Sequence, residues 1–401
     1  MSVVPRESKR ALLTLLGGGW PERAPLPGEW PAITAMAAQH RLEPLLAYRL
    51  DHGDERWPVP AEVADAWRAA QRAATLASLA QQAALRRAGE SLAVAGIAFA
   101  ALKGARLAWR DYPQAALRPM RDLDLLVPPS DILPAAEALR SAGFVMPGGG
   151  AAAVSEALAR DKHLPVLWHP ELGVAIELHH RLVDPPARRS YHMPQLDPAA
   201  VLARAEPQAL AGAAVLCPAP ADLLAHLMVH ALYGHRLDCG PLVLADIHFL
   251  LRGEGTIDWA RFWSEADRQG WGRGGALLLA LTARHFGPQP APAPSGMMPP
   301  PAAIYAAAEE ALLPDLAARD QAETLADLLA ARSLTALAGA FARRLAPDDQ
   351  VVASEGGGRA RWRFWPVWAA RRLWRLVTRL ANRRTMREAR GAATVIRWLK
   401  S

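Results

Sequence analysis

Apolar residues recur every three or four positions through the first part of the chain. The recurrence is clearest in two stretches, WPAITAMAAQHRLEPLLAYRL (30–50) and VADAWRAAQRAATLASLAQQAALRRAGESLAVAG (63–96). This spacing places apolar side chains on one face of an α-helix and is typical of helices that pack on a core. Residues 1–95 are therefore predicted to form a helical N-terminal segment.

The pattern changes between residues 96 and 183. Three short apolar stretches there predict buried strands: GIAFAALKG (96–104), RDLDLLV (121–127) and LPVLWHPELGVAIELHHRL (164–182), the last with two strands around a Pro-Glu-Leu-Gly turn. A helical stretch, ARLAWRDY (105–112), separates the first two. The sequence thus predicts a small α/β unit over 96–183.

One further helix is marked at both ends inside this unit. The stretch PPSDILPAAEALRSAGF (128–144) begins with prolines and with Ser130 as a candidate N-cap, and it closes at Gly143. Proline and serine are typical of helix starts, and glycine is typical of helix ends. A helix is predicted between Ser130 and Gly143.

Beyond residue 183 the helical pattern returns, with two interruptions. The stretch GPQPAPAPSGMMPPP holds seven prolines in fifteen residues, which excludes a helix and predicts an extended linker. The predicted segments are a helical C-terminal part of the core (184–286), this linker (287–301), a helical segment (302–346), a flexible break (347–358) and a basic tail (359–401). The whole pattern predicts an α/β fold with a small core embedded in a mostly helical chain.

Composition indicates a globular protein of a reducing compartment. Hydrophobic residues make up 51% of the 401 residues and charged residues 21%, which suits a packed core and not a disordered chain. The two cysteines, Cys217 and Cys239, have neither a zinc-like nor a disulfide-rich spacing. No run of about 20 apolar residues is available to span a bilayer. A cytoplasmic location is expected.

The positive charge is concentrated in the tail. Residues 359–401 hold 13 Arg or Lys against a single acid, Glu388, whereas the rest of the chain carries 33 basic and 38 acidic residues. Five tryptophans accompany the arginines: Trp362, Trp365, Trp368, Trp374 and Trp398. Arginine and tryptophan on one helix suit an anionic membrane surface, which would make the protein peripheral there, or RNA. Alternatively, the tryptophans pack on the body while the arginines stay in water.

Two aspartates, Asp122 and Asp124, lie one residue apart inside an apolar strand. Side chains at i and i+2 share a face, about 7 Å apart at the Cα atoms, while Leu123 and Leu125 face the core. Burial of such charges is costly unless they are paired or hold a metal. Paired carboxylates suit one or two hard cations such as Mg²⁺, whereas the alternative is a surface strand with solvated acids.

Other residues with suitable chemistry surround this pair. A glycine between strand and helix, Gly104, lets the backbone approach an anion, and Lys103 supplies a charge for phosphate unless it is a solvated lysine at the strand end. Glu177 shares a strand face with His179; the acid could ligate metal or draw a proton from an acceptor hydroxyl, and the imidazole could contact phosphate or support a ligand. Arg118 is a candidate clamp for phosphate oxygens.

The remaining polar candidates have plainer interpretations. Arg121 fits an exposed charge, and His180 a structural residue on the opposite strand face from His179. His226 and His230 have a spacing that can bind zinc, but no Glu follows His226, so packing or lining of a substrate pocket is favoured. Asp246 is expected to cap or pair with a neighbouring helix.

Together these motifs resemble the polymerase β-like nucleotidyltransferase superfamily. More narrowly, LKGARL, DYP, LRPMRDLDLLV, AGF, VAIELHHRL, PADLLAHLMVHAL, LADIHFLL and IDWARFW, spread over about residues 10–285, are similar to an uncharacterised bacterial nucleotidyltransferase family, some of whose members are encoded near lasso-peptide biosynthesis genes. The resemblance implies a small mixed sheet, Mg²⁺ or Mn²⁺, and an NTP donor. It assigns Asp122 and Asp124 to the metal pair, Glu177 to the third acid, and Lys103 with Gly104 to the phosphate-side turn.

One departure and several alternatives accompany the resemblance. Ala105 follows Gly104 where the wider superfamily usually has Gly or Ser, so a phosphate contact there would rest on backbone N–H groups and Lys103. The implied function is nucleotidyl transfer to an unidentified small molecule, peptide or nucleic acid, with peptide natural-product tailoring as one setting. The alternatives are a catalytically weak nucleotide- or peptide-binding module, and an RNA- or membrane-associated protein acting through its tail.

Overall fold

The computed structural model describes residues 5–53, 57–185, 193–292, 294, 296–314, 329, 366, 368–370 and 383–400. They divide into two compact units, one of residues 6–235 and 239–299 and the other mainly of residues from 300 on. The boundary between Pro299 and Pro300 falls inside the proline-rich segment 287–301, close to its end. The first unit thus ends within the predicted linker.

The described part of the N-terminal segment is helical, as the apolar spacing predicts. It contains α1 (Arg6–Gly17), α2 (Trp30–Gln39), α3 (Glu43–His52) and the long α4 (Ala61–Val94). Their apolar faces are buried, with Leu12, Leu16, Leu45, Leu46 and Trp67 inaccessible to solvent. Burial of these faces is what stabilises such helices, more than intrinsic propensity does.

The strands of the described residues form one mixed sheet. They are β1 (Ala100–Ala101), β2 (Asp122–Leu126), β3 (Leu167–His169), β4 (Val174–His179), β5 (Glu206–Leu210) and β6 (Ala213–Cys217), in the order β3-β4-β2-β1-β6-β5. β2 runs parallel to β4 and β1 parallel to β6, while the other neighbours are antiparallel. The expected α/β fold with a small mixed sheet is confirmed.

Alternation along β2 and β4 gives the sheet a core face and a polar face. Leu123 and Leu125 of β2 are fully buried, as are Ile176 and Leu178 of β4. All four belong to an apolar cluster that includes residues of α4 and of α6 (Ile132–Ser141). Since neighbouring strand residues point to opposite faces, the polar side chains between these positions lie on the other face of the sheet.

The two helices predicted in the α/β unit are present, but one cap is wrong and a third helix, α7 (Ala151–Arg160), was not predicted. α5 (Lys103–Arg110) follows β1, and α6 follows β2. The predicted N-cap Ser130 is wrong, because a 3₁₀ turn (Pro129–Asp131) precedes α6 and no side chain caps it. The Ser130 hydroxyl instead donates to Asp131 Oδ1 at 3.0 Å. The chain leaves α6 through Gly143, whose φ of +93° suits a glycine.

The segment 184–286 contains a hairpin that its pattern did not indicate. β5 and β6 turn at Ala211 and Gly212, both with positive φ, and β6 extends the sheet beside β1. The rest of this part is helical: α8 (Pro198–Arg204), α9 (Pro220–Val229) continuing into a π-helical turn (His230–Gly234), α10 (Leu242–Arg252), α11 (Trp259–Arg268) and α12 (Gly272–Phe286). Helix α7 (Ala151–Arg160) precedes β3.

The second unit pairs the start of the predicted helical segment with the end of the basic tail. α13 (Ala302–Leu312) packs against α14 (Arg383–Leu399), whose Ala389, Ala393 and Ile396 are buried. Trp368 is also buried. The two alternatives for the tail, binding to an anionic surface and packing of its tryptophans on the body, both stay predictions. The predictions for 347–358 and for Trp362, Trp365 and Trp374 lie outside the described residues.

No helix among the described residues is both long enough and apolar enough to cross a membrane.

Candidate active site

Asp124 and Glu177 lie side by side on the parallel strands β2 and β4, where they are register partners. His179, two residues after Glu177, shares its strand face. One potential ligand atom from each of these three residues lies within 4.8 Å of the other two. The expected proximity of a third carboxylate to the aspartate pair is confirmed.

Asp124 accepts two short contacts on the same oxygen. Lys103 Nζ lies 2.6 Å and His179 Nε2 2.9 Å from Asp124 Oδ1. Asp124 is 5% exposed, so the alternative of a solvated surface strand is wrong for this residue. Burial alone would raise the pKa of Asp124, but Lys103 and His179 hold it well below its ordinary value. The carboxylate is thus ionised, and no hydrogen bond from the described residues reaches its second oxygen, Oδ2.

Lys103 is a buried ammonium and not a solvated lysine at the strand end. Burial lowers the pKa of Lys103, but the charges of Asp124 and Glu177 outweigh it, so the pKa is raised. Its φ of +39° is uncommon for a residue other than glycine, and such backbones cluster at functional sites. Lys103 therefore enters the site as a charged group held at the first residue of α5.

Glu177 is held by two imidazoles. Its Oε2 lies 3.4 Å from His179 Nε2 and 3.5 Å from His163 Nε2. Burial raises the pKa of Glu177 and the neighbouring Asp124 raises it further, yet the contacts with His179 and His163 bring it to about 2. Nδ1 of His179 lies 3.2 Å from the Arg181 carbonyl, which leaves Nε2 to face the carboxylates. Glu177 is thus an ionised, oriented acid.

Asp122 differs from its neighbours because no described residue forms a hydrogen bond or ion pair with its carboxylate. It is half-buried at the start of β2. Burial, Asp124 and Glu177 together raise the pKa of Asp122 to about 6. A bound cation would relieve this repulsion. With Asp124 Oδ2 and Glu177 Oε1 also free of hydrogen bonds from the described residues, the carboxylate oxygens available here match the ligands that Mg²⁺ prefers.

Arg118 is engaged by an aspartate of the C-terminal half. Its Nε and Nη2 donate to Asp246 Oδ1 and Oδ2 at 3.0 and 2.9 Å, and the Tyr112 hydroxyl donates to Oδ1 at 2.7 Å. From the sequence, Asp246 is expected to cap or pair with a neighbouring helix, but its partners Tyr112 and Arg118 lie in the connection between α5 and β2. The third guanidinium nitrogen, Nη1, contacts only the Pro119 carbonyl at 3.3 Å. Phosphate clamping by Arg118 thus stays a prediction, with Nη1 as the nitrogen least engaged.

Gly104 permits close packing beside the aspartate strand. A Cβ at this position would lie 2.8 Å from Met120 Cγ, 2.9 Å from Met120 Sδ and 3.1 Å from Arg118 Nη1. From the sequence, glycine is expected here because it lets the backbone approach an anion. The structure adds a packing requirement, because the chain that leads into β2 crosses the start of α5 at this point.

Replacement of Gly104 with alanine is expected to destabilise the first unit by about 1–3 kcal/mol, since the added methyl overpacks against Met120. Urea unfolding of the two proteins measures the difference. The second change Met120→Ala should recover part of the loss, because it removes the atoms that the methyl would strike. Equal stability of Gly104→Ala and the parent would contradict the packing argument.

Three further basic side chains that the sequence did not mark lie near the site: the cations Lys162 and Arg41, and the imidazole of His163, whose pKa burial lowers so that it is neutral. Lys162 and His163 precede β3 and adjoin Glu177, and Arg41 lies between α2 and α3. Burial, with the charges of Arg121 and Arg118, lowers the pKa of Arg41 to about 10. Arg121 itself is exposed, as expected. No motif spacing marks these residues, because Lys162 and His163 lie outside the apolar patterns and Arg41 is one of several polar positions within the helical pattern of residues 30–50.

His226 and His230 are also close to these groups. Their ring centroids are 5.9 Å apart, and His230 stacks edge-on with His235 at 4.4 Å. His226 is 1% exposed, and neither ring nitrogen has a hydrogen-bond partner among the described residues. Burial and then the charge of Lys103 hold the pKa of both His226 and His230 well below its ordinary value, so both are neutral. His180, which donates its amide to the Lys162 carbonyl, is structural as expected.

Comparison with known proteins identifies a family. A family model described as an uncharacterised nucleotidyltransferase matches residues 27–287, which is more than half of the chain and includes every site residue described above. No curated protein and no solved structure matches the chain.

Proposed function

The chain belongs to the uncharacterised nucleotidyltransferase family, and from this membership we propose that it transfers a nucleotidyl group from an NTP to a hydroxyl, phosphate or carboxylate of an acceptor with Mg²⁺ or Mn²⁺. The observation that carries the proposal is the pairing of Asp124 with Glu177 on parallel strands, with Asp122 two residues before Asp124 on the same strand and interacting electrostatically with both acids. Three clustered carboxylates with unengaged oxygens support a site for a hard cation.

Asp122, Asp124 and Glu177 are the residues that would hold the metal. When bound there, a divalent cation would neutralise phosphate charge and make an acceptor oxygen a better nucleophile. Lys103 and His179 fix Asp124 through Oδ1, which keeps Oδ2 directed away from them. His163 and His179 similarly orient Glu177, which either joins the metal ligands or takes the proton of the acceptor.

The start of α5 supports a role in binding the donor phosphates. Lys103 and Gly104 open this helix, whose first backbone N–H groups have no partner within the helix. Such N–H groups, with the positive end of the helix dipole, favour an anion. Arg118 Nη1 lies at this same point, beside Gly104. We assign Lys103, Gly104 and Arg118 to steering of the triphosphate, with His179 as a supporting contact.

The test is transfer itself. Candidate acceptors are incubated with each NTP and Mg²⁺ or Mn²⁺, and mass spectrometry follows the gain of one nucleotidyl group. Small molecules, peptides and nucleic acids are assayed separately, and the resemblance to proteins encoded near lasso-peptide genes makes peptides the first class to try. Binding of NTP without transfer to any class would favour the alternative of a nucleotide- or peptide-binding module.

The basic tail supports a second, separable proposal, that it binds an anionic membrane surface or RNA. Its charge balance of 13 basic residues to one acid over 359–401 is the observation behind it. Each arginine near an acidic membrane contributes about 1 kcal/mol, and salt weakens the attraction over a Debye length of about 8 Å.

A variant truncated after Gly358 is expected to lose salt-sensitive binding to anionic liposomes or RNA and to keep NTP binding. It is also expected to lose stability in the second unit, because α13 would lose the helix that packs on it. Liposome co-sedimentation at low and high salt, with calorimetry, separates the two effects. Failure of the full-length protein to bind either surface would contradict the tail proposal.

A further inference from the structure

Lys162 is fixed at the edge of the active site by its own backbone. Its carbonyl accepts hydrogen bonds from the amides of His180 and Arg181 at 3.0 and 3.1 Å. The next two residues also pair with β4. His163 forms an antiparallel β-bridge with His179, and the Leu164 amide donates to the Leu178 carbonyl at 3.0 Å. Lys162 is thus anchored to the end of β4, immediately after Glu177 and His179.

The ammonium of Lys162 has no ion pair in the part of the chain that the structure describes. Its side chain is half-buried, and the charged groups that act on it are Lys103, Asp184, Glu177 and Asp124. Burial and then Lys103 lower the pKa of Lys162, and the three acids do not fully offset them. Among the described residues, Asp124 contacts Lys103 and His179, Glu177 contacts His163 and His179, and neither acid forms an ion pair with Lys162.

The two imidazoles that interact electrostatically with Lys162, His226 of α9 and His230 of the following π-helical turn, are neutral and supply no negative charge. Lys162 is among the charges that lower the pKa of both His226 and His230, which places it close to these two neutral imidazoles. His230 is half-buried, and its ring nitrogens have no hydrogen-bond partner among the described residues, although its carbonyl accepts from the His235 amide at 2.9 Å. Its ring can donate one hydrogen bond to an oxygen. This side of the site therefore presents an unpaired ammonium and an unpaired imidazole.

A half-buried charge without a partner destabilises the fold unless a ligand completes it. Since Lys162 is a cation without an ion pair among the described residues, and both groups are hydrogen-bond donors, the ligand is an anion with several acceptor oxygens. Resting on the proposed function, we propose that Lys162 binds a phosphate group of the nucleotide donor, with His230 as a neighbouring donor. The role is one of substrate binding, separate from the carboxylates that would hold metal.

The test compares Lys162→Met with the parent and with Arg160→Gln in the full chain. Arg160 is a matched control because it lies two residues away, loses one positive charge and is exposed at the end of α7. Isothermal titration calorimetry with Mg²⁺ measures affinity for each NTP and for inorganic tripolyphosphate. Lys162→Met is expected to weaken both about 10- to 100-fold, as for loss of a charged hydrogen bond, whereas Arg160→Gln changes neither.

Two further measurements exclude a structural explanation. Lys162→Arg keeps the charge and is expected to recover most of the affinity. Lys162→Met is expected to melt no lower than the parent, because it breaks no ion pair. A phosphate contributed by the acceptor instead of the donor would leave both affinities unchanged in Lys162→Met, and that result would overturn the inference while leaving the proposed function standing. If the parent protein binds neither NTP nor tripolyphosphate, both proposals fail.

Discussion

Asp122→Asn is expected to abolish detectable nucleotidyl transfer, with a loss of at least about 10³-fold, while the protein stays folded. Asp122 is the acid of the cluster without a protein partner, so its charge is available to a cation and its removal breaks no contact. Loss of a charge that stabilises the transition state is typically worth several kcal/mol. The rate of NTP-dependent labelling of an acceptor, at saturating Mg²⁺, measures the effect.

The same substitution is expected to raise stability in metal-free buffer above pH 6. Burial and two neighbouring acids raise the pKa of Asp122 to about 6 in the folded protein, against about 3.9 in the unfolded chain. A raised pKa means that the folded state holds the proton more tightly, so stability is lost as pH rises from about 4 to about 6. Asparagine removes that loss, which amounts to at most about 3 kcal/mol. Urea unfolding at pH 4 and pH 8 checks the sign.

Asp124→Asn is the contrasting variant, because its carboxylate already neutralises Lys103. It leaves a buried ammonium without a charged partner, and such losses typically amount to about 3–5 kcal/mol. Asp65→Asn, at an exposed aspartate of α4, is the control and should change neither activity nor stability appreciably. Full activity of Asp122→Asn would refute the metal site proposed here.

The sequence alone was sufficient to locate the carboxylates but not to describe their environment. Alternating Leu and Asp in 122–126 predicts one apolar and one polar face, and the structure confirms it. The parallel register of Asp124 with Glu177 depends on strand pairing between residues 53 positions apart, which no local pattern encodes. From the sequence, Glu177 is a candidate site residue because it shares a strand face with His179. The fold then shows that Glu177 lies beside Asp124.

The features that the sequence did not predict correctly lie where its local patterns are weak, absent or overridden by a turn. The β5–β6 hairpin is rich in small residues, so its alternation is too weak to distinguish from the helices around it. Lys162 lies in the connection between α7 and β3, where no periodicity applies, and only the hydrogen bonds of its carbonyl bring it to the site. Ser130 fits the composition of an N-cap, but the 3₁₀ turn displaces it from the helix start.

A stability effect as large as that of Asp124→Asn is expected at the contact between Arg118 and Asp246. Both side chains are well buried, at 16% and 3% exposure, and the pair is bidentate with Tyr112 as a third partner. Asp246→Asn leaves the Arg118 guanidinium buried without a charged partner. A destabilisation of about 3–5 kcal/mol is expected in urea unfolding, because removal of one member of a buried pair exposes the full desolvation penalty of the other.

The pair of Arg204 with Asp222 offers a control of the same geometry. It is also bidentate, at 2.7 and 2.9 Å, but Arg204 is 44% exposed. Water then replaces the lost contact, so Asp222→Asn should be destabilising by less than about 1 kcal/mol. Similar losses for the two aspartates would contradict the assignment of the Arg118 contact as a buried pair.

A double substitution then separates the structural role of Arg118 from its proposed role in catalysis. Arg118→Met with Asp246→Leu replaces the pair with apolar groups, and such replacements are often neutral for stability. The double variant is therefore expected to regain most of the stability that Asp246→Asn loses. If Arg118 Nη1 also steers the triphosphate, the refolded double variant should still bind NTP about tenfold more weakly than the parent, since a charged hydrogen bond is missing. Parental NTP affinity in a stable double variant would restrict Arg118 to holding α10 against the start of the aspartate strand.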